Sequence, residues 1–325
     1  MKTRKFKAHE ILFSPTSKCN LRCAHCEIKK YPMNLSKKAA IKFLNECADT
    51  GIKRLGFTGG EPFLALDFLC AITKEAIRCK MLFSRIMTNG VWFRTKKELT
   101  SSSNRLFCAG YDGDICISVD IFHSQNLQKV AFFIKTVLKI WNRRDMISIS
   151  AVKGSLNSQT QERLKNLAKI LNARLTNNTH GYSLMKNKNL FIKIFYIDLS
   201  PIGKASLLKN PWNKKWFKDD FCKGPGNVFF VLPDGTVKPC CGYANDSDML
   251  TIGSIKRDTP QKLLRNVEKN SFVFKIFRSG FHPIRRALEK SGIHFPGKTT
   301  NHCFFCYYLT SGRLAYAGLR PDKAF

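Results

Sequence analysis

The sequence predicts an α/β protein: six strand–helix units forming an open, partial (β/α)6 barrel, with a small C-terminal extension. Three observations predict it. Short β-branched or apolar runs alternate with helical patterns through the first 200 residues, which calls for a parallel sheet with crossover helices. Six units are too few to close an eight-fold barrel. The alternation then stops in a Pro/Gly/Asn/Lys-rich passage, "PIGKASLLKNPWNKKW" (201–216), read as a linker, and five cysteines follow it. The expected boundary therefore divides 1–205 from 206–325.

The elements follow in order. "HEILFSP" (9–15) is a first strand running into a cysteine-rich loop. "LSKKAAIKFLNECADTG" is a helix, with Ser36 as its N-cap and Gly51 just past its end. "IKRLGF" (52–57) is strand two and "FLALDFLCAITKEAIRCK" (63–80) the next helix. "LFSRIMTNG", "DICISVD", "MISISAV" and "LFIKIFYIDLS" supply four more strands, the later ones separated by helices at about 124–142 and 157–172. Beyond the linker, "NVFFVLPDGTVKPCC" is a hairpin turning at Asp234-Gly235, a strong hairpin signal between β-rich runs. A basic helical segment follows near 260–290. Chemistry in such sheets collects at the C-terminal ends of the strands.

The chain has 325 residues, 44% hydrophobic and 24% charged, the composition of an ordinary globular protein. No run of 18 apolar residues predicts a transmembrane helix. The basic N-terminus "MKTRKFKAHEILF" lacks an apolar signal-peptide core, so a cytoplasmic protein is expected. The balance of 55 Lys+Arg against 23 Asp+Glu, formally +32, would attract a nucleic acid, an acidic peptide or an anionic membrane. It equally fits a Lys-rich habit of the host, because the lysines are spread along the chain. Thirteen cysteines without a secretion signal point to metal or thiol chemistry rather than a disulfide scaffold.

"CNLRCAHC" sets Cys19, Cys23 and Cys26 in the spacing C-x3-C-x2-C directly after strand one. Three thiolates on a tight loop can hold three irons of a [4Fe–4S] cluster and leave the fourth open. Zinc, the alternative, commonly takes four ligands from paired C-x2-C knuckles. "TGGEP" (58–62) follows strand two.

These two motifs, one strand apart, resemble those of the radical S-adenosylmethionine (radical SAM) superfamily. The resemblance implies that the open iron chelates the amino and carboxylate groups of SAM. It also implies that Gly59, Gly60 and Glu61 hold the methionine amino group. His25 stands where the family usually has an aromatic residue near the adenine. Asn89 in "MTNG" and Ser118 and Asp120 in "ISVD" end strands where ribose or methionine contacts are usual. "PIGKA" (201–205) resembles a motif lining the adenine pocket. Each of these residues also suits a turn or cap. His123 in "DIFHSQ" is a further candidate for a substrate or SAM contact.

Beyond the linker lie Cys222, Cys240, Cys241, Cys303 and Cys306. "GTVKPC" and the closing "CFFC" resemble the auxiliary-cluster extension called SPASM, or its shorter twitch relative, with a truncated array. One auxiliary [4Fe–4S] cluster is then expected, and four ligands saturate it. Cys222, Cys240, Cys303 and Cys306 supply four, and Cys241 is the surplus. Successive side chains on an extended strand face opposite ways. If Cys240 faces the cluster, Cys241 faces away, where a thiol can give a hydrogen atom to a carbon radical and be restored by an electron from the cluster.

That arrangement resembles the YydG-type peptide epimerases of the superfamily, in which the second cysteine of the pair is the hydrogen donor. The resemblance implies conversion of L- to D-residues in a ribosomally made precursor peptide, with electrons from a donor such as flavodoxin or ferredoxin. Exchanged roles for Cys240 and Cys241, or a merely structural Cys241, stay open at this level. So do thioether or carbon–carbon cross-linking of a peptide, RNA modification, and a non-catalytic zinc protein binding nucleic acid. No appended RNA-binding motif is recognisable, so nucleic acid is the less favoured partner. Cys47, Cys70, Cys79, Cys108 and Cys116 fall in helices or strands and are expected to be buried, as small hydrophobes. "SFVFKIFRSGFHPIRRALEK" (271–290) is expected to pack its apolar side on the domain core, although it would also suit a peptide or a membrane.

Overall fold

The structure is a computed structural model that describes residues 6–26, 28–153, 157–177, 182–200, 202, 204–205, 212–218, 222, 226–242, 244 and 247–311. Five strand–helix units open the chain: β1 (Glu10–Phe13) and α1 (Lys37–Asp49), β2 (Arg54–Phe57) and α2 (Leu66–Arg78), β3 (Leu82–Thr88) and α3 (Lys96–Cys108), β4 (Asp114–Ser118) and α4 (Leu127–Trp141), β5 (Ile147–Lys153) and α5 (Asn157–Ile170). A hairpin of β6 (Arg174–Asn177) and β7 (Tyr182–Lys186) precedes β8 (Phe191–Asp198). The strands β1, β2, β3, β4, β5 and β8 pair in parallel in that order, so the six expected barrel strands are present and the barrel is open.

Ser36 caps α1 by accepting from the Ala39 amide, and Gly51 follows the helix at φ +82°, as the sequence predicts. Two features escaped the sequence reading. The serine-rich α3 buries only Leu99, Ser103 and Leu106, too sparse an apolar stripe to stand out. Its start was nonetheless signalled: Thr95 accepts from the Glu98 amide while Glu98 turns back to the Arg94 amide, close to a capping box. The β6–β7 hairpin is antiparallel, and its short, half-polar strands resemble loop.

The C-terminal part continues the same sheet. β9 (Val228–Val231) pairs in parallel with β1, β10 (Thr236–Lys238) returns along it, and β11 (Gly253–Ser254) closes that edge. The turn at Asp234-Gly235 is as expected, with Gly235 at φ +90°. Residues 260–290 are three helices rather than one segment: α6 (Pro260–Lys269), α7 (Ser271–Ser279) and α8 (Phe281–Lys290). Gly280, at φ +77°, breaks the last two apart. Their apolar sides are buried through Phe272, Val273, Ile276, Phe277, Phe281, Ile284 and Leu288, as expected for core packing. α9 (His302–Thr310) carries the final pair of cysteines.

The passage read as a linker is partly built into this unit. Trp212 packs on Phe304 and Tyr308, Trp216 on Phe295 and Phe305, and Asn213 bridges to Lys298. Its remainder, 206–211 with Pro201 and Gly203, lies outside the described residues. Among the cysteines expected to be inert and buried, Cys47 and Cys116 are buried and Cys70 and Cys79 half-buried. Cys108 is exposed, because it ends α3 on its outer side. Among the described residues no helix is long and apolar enough to cross a membrane.

Candidate active site

The cysteine loop leaves β1 at Phe13 and folds across the C-terminal ends of the strands. The amide of Leu21 donates to Cys19 Sγ (3.4 Å), the amide of Cys26 to the Cys23 carbonyl (3.2 Å), and the amide of Lys204 to the Cys26 carbonyl (3.4 Å). Cys19, Cys23 and Cys26 line one cavity of about 220 Å3, together with Gly59, Gly60, His25, Asn89, Ser118 and His123. Burial first, then the neighbouring thiols, pushes Cys23 up to about 12; burial raises Cys19 as well. The free Cys19 and Cys23 thiols stay protonated, and a metal that ligates them must displace protons.

The Gly-Gly turn after β2 lies against the start of this loop. The Gly60 amide donates to the Thr16 carbonyl (2.9 Å) and the Glu61 amide to the Lys18 carbonyl (2.8 Å). A Cβ on Gly60 would overlap that Lys18 carbonyl, and Gly59 sits at φ +125°. Only glycine fits either position.

Glu61 does not line the cavity. Its carboxylate is buried and accepts from the amides of Phe63 (3.2 Å) and Asn89 (2.8 Å) and from Thr88 Oγ1 (2.8 Å), which ties the turn to the end of β3. Burial pushes its pKa up to about 7, only partly offset by those bonds. A carboxyl group raised on folding contributes stability below its unfolded value, and loses it as pH rises through the folded one. The thermal midpoint should therefore fall between about pH 5 and 8, by roughly 3 kcal/mol of stability. Glu61→Gln is expected to flatten that slope while lowering the pH 5 midpoint, since its amide would face a donor. An unchanged slope would assign it to other groups.

Asn89 is held from several sides. Its Nδ2 donates to Asn20 Oδ1 (2.8 Å) and approaches Cys19 Sγ (3.7 Å), and its Oδ1 accepts from the Val91 amide (2.8 Å). Gln125, buried, donates to the carbonyls of Asn89 (2.9 Å) and Ser118 and so joins the ends of β3 and β4. Asp120 is fully buried and spent internally. It accepts from the amides of Phe122, His123 and Val152 and from His123 Nδ1 (2.8 Å). Burial raises its pKa, but the bond and charge of His123, the His25 charge and the Val152 amide outweigh that, and the carboxyl lies below its usual range.

Asp120 thus reaches the cavity through His123, whose ring meets His25 at 4.7 Å. Burial, then His123, lowers His25 to about 4, and its Nδ1 is buried with no partner among the described residues. Asn20, Gln125 and the Asp120–His123 pairing escaped the sequence reading of the contacts, because only the fold brings these loops together.

The remaining cysteines gather around a second, small pocket. Cys222, Cys240, Cys303 and Cys306 line it together with Val273, Ile276, Phe281 and His302. Burial raises the Cys240 and Cys306 thiols well above the ordinary range, and the other cysteines of the group add to this. A Cβ on Gly242 would come within 3.1 Å of Cys303 Sγ and 3.7 Å of Cys240 Sγ. Four converging thiols beside an open glycine fit a cluster with four thiolate ligands.

Cys241 does not line that pocket. It faces the barrel lumen, a cavity of about 800 Å3 whose walls include Glu10, Leu12 and Ser14 of the β1 strand and its exit, Met87, Ile197 and Phe230. Thr58, Gly59, Met87, Ile28 and Ile197 border both the lumen and the cavity of the first cysteines, so the two spaces adjoin. Pro239 accepts from the Gly226 amide, and Val228 stands opposite Glu10. The Cys-Cys pair therefore lies at the floor, near the N-terminal ends of β1 and β9. From Glu10 to Ser14 the strand rises about 13 Å. Cys241 is exposed as a residue, while the lumen wall and then the Glu10 carboxylate raise its thiol above the ordinary value.

A profile described as Radical SAM superfamily matches residues 13–191, and one described as an iron–sulfur cluster-binding domain (SPASM) matches 222–287, short of Cys303 and Cys306. The chain is 23% identical over 225 residues to GTP 3',8-cyclase of Listeria welshimeri, covering 65% of this chain and 59% of that one. It is 26% identical over 301 residues to the GTP 3',8-cyclase of Helicobacter pylori, covering 80% and 90%. Against several of the curated relatives it matches, the chain spans three fifths of their length or less. Native anSMEcpe with bound AdoMet has the same fold, with a TM-score of 0.58 at 14% identity over 95% of this chain and 97% of that one. With more than half of its residues inside the first match, and the cysteine loop and Gly-Gly turn facing one cavity, the chain belongs to the radical SAM superfamily.

Proposed function

We propose that this chain is a radical SAM peptide epimerase, which turns L-residues of a ribosomally made peptide into D-residues. The observation that carries the reading is the opposed facing of two adjacent cysteines: Cys240 lines the four-cysteine pocket and Cys241 the lumen. Cys19, Cys23 and Cys26 would hold the SAM-binding [4Fe–4S] cluster, and Cys222, Cys240, Cys303 and Cys306 the auxiliary one. When bound, the first cluster and SAM supply a carbon radical able to remove a Cα hydrogen.

The protein's own part is positioning. Gly59 keeps a side chain out of the junction between the SAM cavity and the lumen, and Gly60, Asn89, Ser118 and the His25–His123 pair line the SAM side. A peptide residue in the lumen has the SAM cavity above it and Cys241 below. Once its Cα–H is lost, the carbon is near planar. Cys241 breaks its S–H bond and forms the new C–H bond from the other face, which inverts the centre. Cys241 is left a hydrogen atom short, and one electron from a one-electron donor such as flavodoxin or ferredoxin, with one proton from solvent, restores it. The raised thiol pKa keeps the hydrogen on sulfur before transfer.

The test reads the genes beside this one for a short open reading frame and incubates the peptide it encodes with the anaerobically reconstituted enzyme in deuterated solvent. The expected product gains one deuterium per inverted centre and is otherwise unchanged in mass. Loss of two hydrogens would instead indicate cross-linking. A product without solvent deuterium would reject the thiol as donor.

A further inference from the structure

The floor of the lumen holds more than Cys241. Arg54 and Arg85 line the lumen together with His9 and Glu10, so two fixed cations face one carboxylate, while Lys29 lines it from the cysteine loop at the other end. Two exposed arginines on the wall of one lumen, where apolar layers commonly pack, leave positive charge there for an anion to meet. Neither finds its counter-charge in full. Arg54 makes no ion pair among the described residues, although it stands opposite Glu10 in the strand register. The Glu10 carboxylate instead takes the Ser84 hydroxyl.

Arg85 approaches Asp114 only at 4.0 Å, and Asp114 already accepts from Ser148 Oγ at 2.6 Å. The guanidinium of Arg85 lies 5.9 Å from the Phe195 ring centroid, which limits its orientations. Both residues are exposed, and they line the same cavity as Cys241.

We infer that Arg54 and Arg85 form a carboxylate seat at the lumen floor, which takes an acidic side chain or the C-terminal carboxylate of the substrate peptide. The inference rests on the peptide reading given above. Planar guanidinium groups suit a carboxylate's two oxygens. A carboxylate seated there would fix how deep the peptide sits, and so which Cα lies between the SAM cavity and Cys241. The overall charge of +32 draws any anion toward the protein, but only the floor can select its position.

The test measures binding of ten-residue peptides, labelled with a zwitterionic rhodamine, to the anaerobically purified holoenzyme with SAM by fluorescence anisotropy. Three probes are compared: an amidated peptide with one central Glu, its Gln twin, and the Gln twin with a free C-terminal carboxylate. GTP is titrated as a competitor and alone. One of the two carboxylate probes is expected to bind about tenfold more tightly than the amidated Gln peptide, and which one does so identifies the source.

Arg54→Gln with Arg85→Gln should erase that preference and leave the amidated Gln peptide unaffected. Arg54→Gln alone, which breaks no ion pair among the described residues, should reduce it. Lys139→Gln with Lys169→Gln, an equal loss of charge on exposed helix positions, should leave it intact. Peptide binding without a carboxylate preference, or a preference that survives in the arginine variant or vanishes in the lysine one, overturns the seat and leaves the peptide reading standing. GTP binding with no peptide binding, or no binding of any peptide, overturns both.

Discussion

Cys241→Ala is expected to leave both metal centres and SAM cleavage intact while abolishing inversion, a fall of at least about a hundredfold in D-residue formation. The separation follows from which way the two sulfurs face. Cys240 lines the auxiliary pocket with Cys222, Cys303 and Cys306, whereas Cys241 lines the lumen. Removing the Cys241 sulfur therefore takes no ligand from the pocket and opens no cavity in the core, because the residue is exposed on the lumen wall. Iron content and visible absorption should match the wild type, and 5′-deoxyadenosine should still accumulate in the presence of reductant and peptide. Cys241→Ser separates shape from chemistry. It keeps the volume, but an O–H bond is too strong to give its hydrogen to a Cα radical, so it should behave like alanine. Inversion surviving in either variant would remove Cys241 as donor. Loss of iron in either would mean that the two neighbours exchange roles.

What was legible in the sequence divides along physical lines. The six barrel strands, the crossover pattern and the cysteine loop after β1 could be read, because apolar periodicity and short-range spacing are local properties. The hairpin at Asp234-Gly235 could be read for the same reason, since its turn demands a residue at positive φ. Its partner could not: β9 joins the barrel sheet alongside β1, more than 200 residues away, and no local pattern encodes that pairing. The helix α3 was lost because Ser103 occupies a buried position where the periodicity wants an apolar residue. The candidate site shows the same split. Glu61 and Asp120 stand out in the sequence as polar residues at strand ends, yet both are buried and saturated, and act on the cavity through Asn89 and His123. Arg54 and Arg85, two among 55 basic residues, carry no sequence mark at all. Only the barrel, by turning their strands inward, sets them on the wall of the lumen that Cys241 also lines.

The second large effect is a crossed pattern between the two cysteine groups. Cys23→Ala should lose the first centre, roughly four irons per chain, and with it all 5′-deoxyadenosine formation. Its thermal midpoint should change little, because the loop lies on the surface of the sheet with its cysteines only half-buried. Cys306→Ala should lose a similar share of iron from the other centre, with a different consequence. Cys306 is buried in α9, and the pocket it lines is walled by Val273 and Ile276 of α7, Phe281 of α8 and the β10 exit. A metal bound there joins three segments of chain, those of Cys222, Cys240 and α9, so its binding energy is also folding energy for this unit. The Cys306 variant should therefore melt several degrees lower and be cleaved first by protease within 206–325, while the barrel and its SAM cleavage persist. Inversion should fall with it, because Cys241 is aimed into the lumen by the turn that Cys240 anchors. Iron measured per chain, 5′-deoxyadenosine yield and melting midpoint give three independent readouts. A Cys306 variant with full iron and an unchanged midpoint would mean that the four thiols do not share a centre. The opposed facing of Cys240 and Cys241 would then have no metal on one side to explain it.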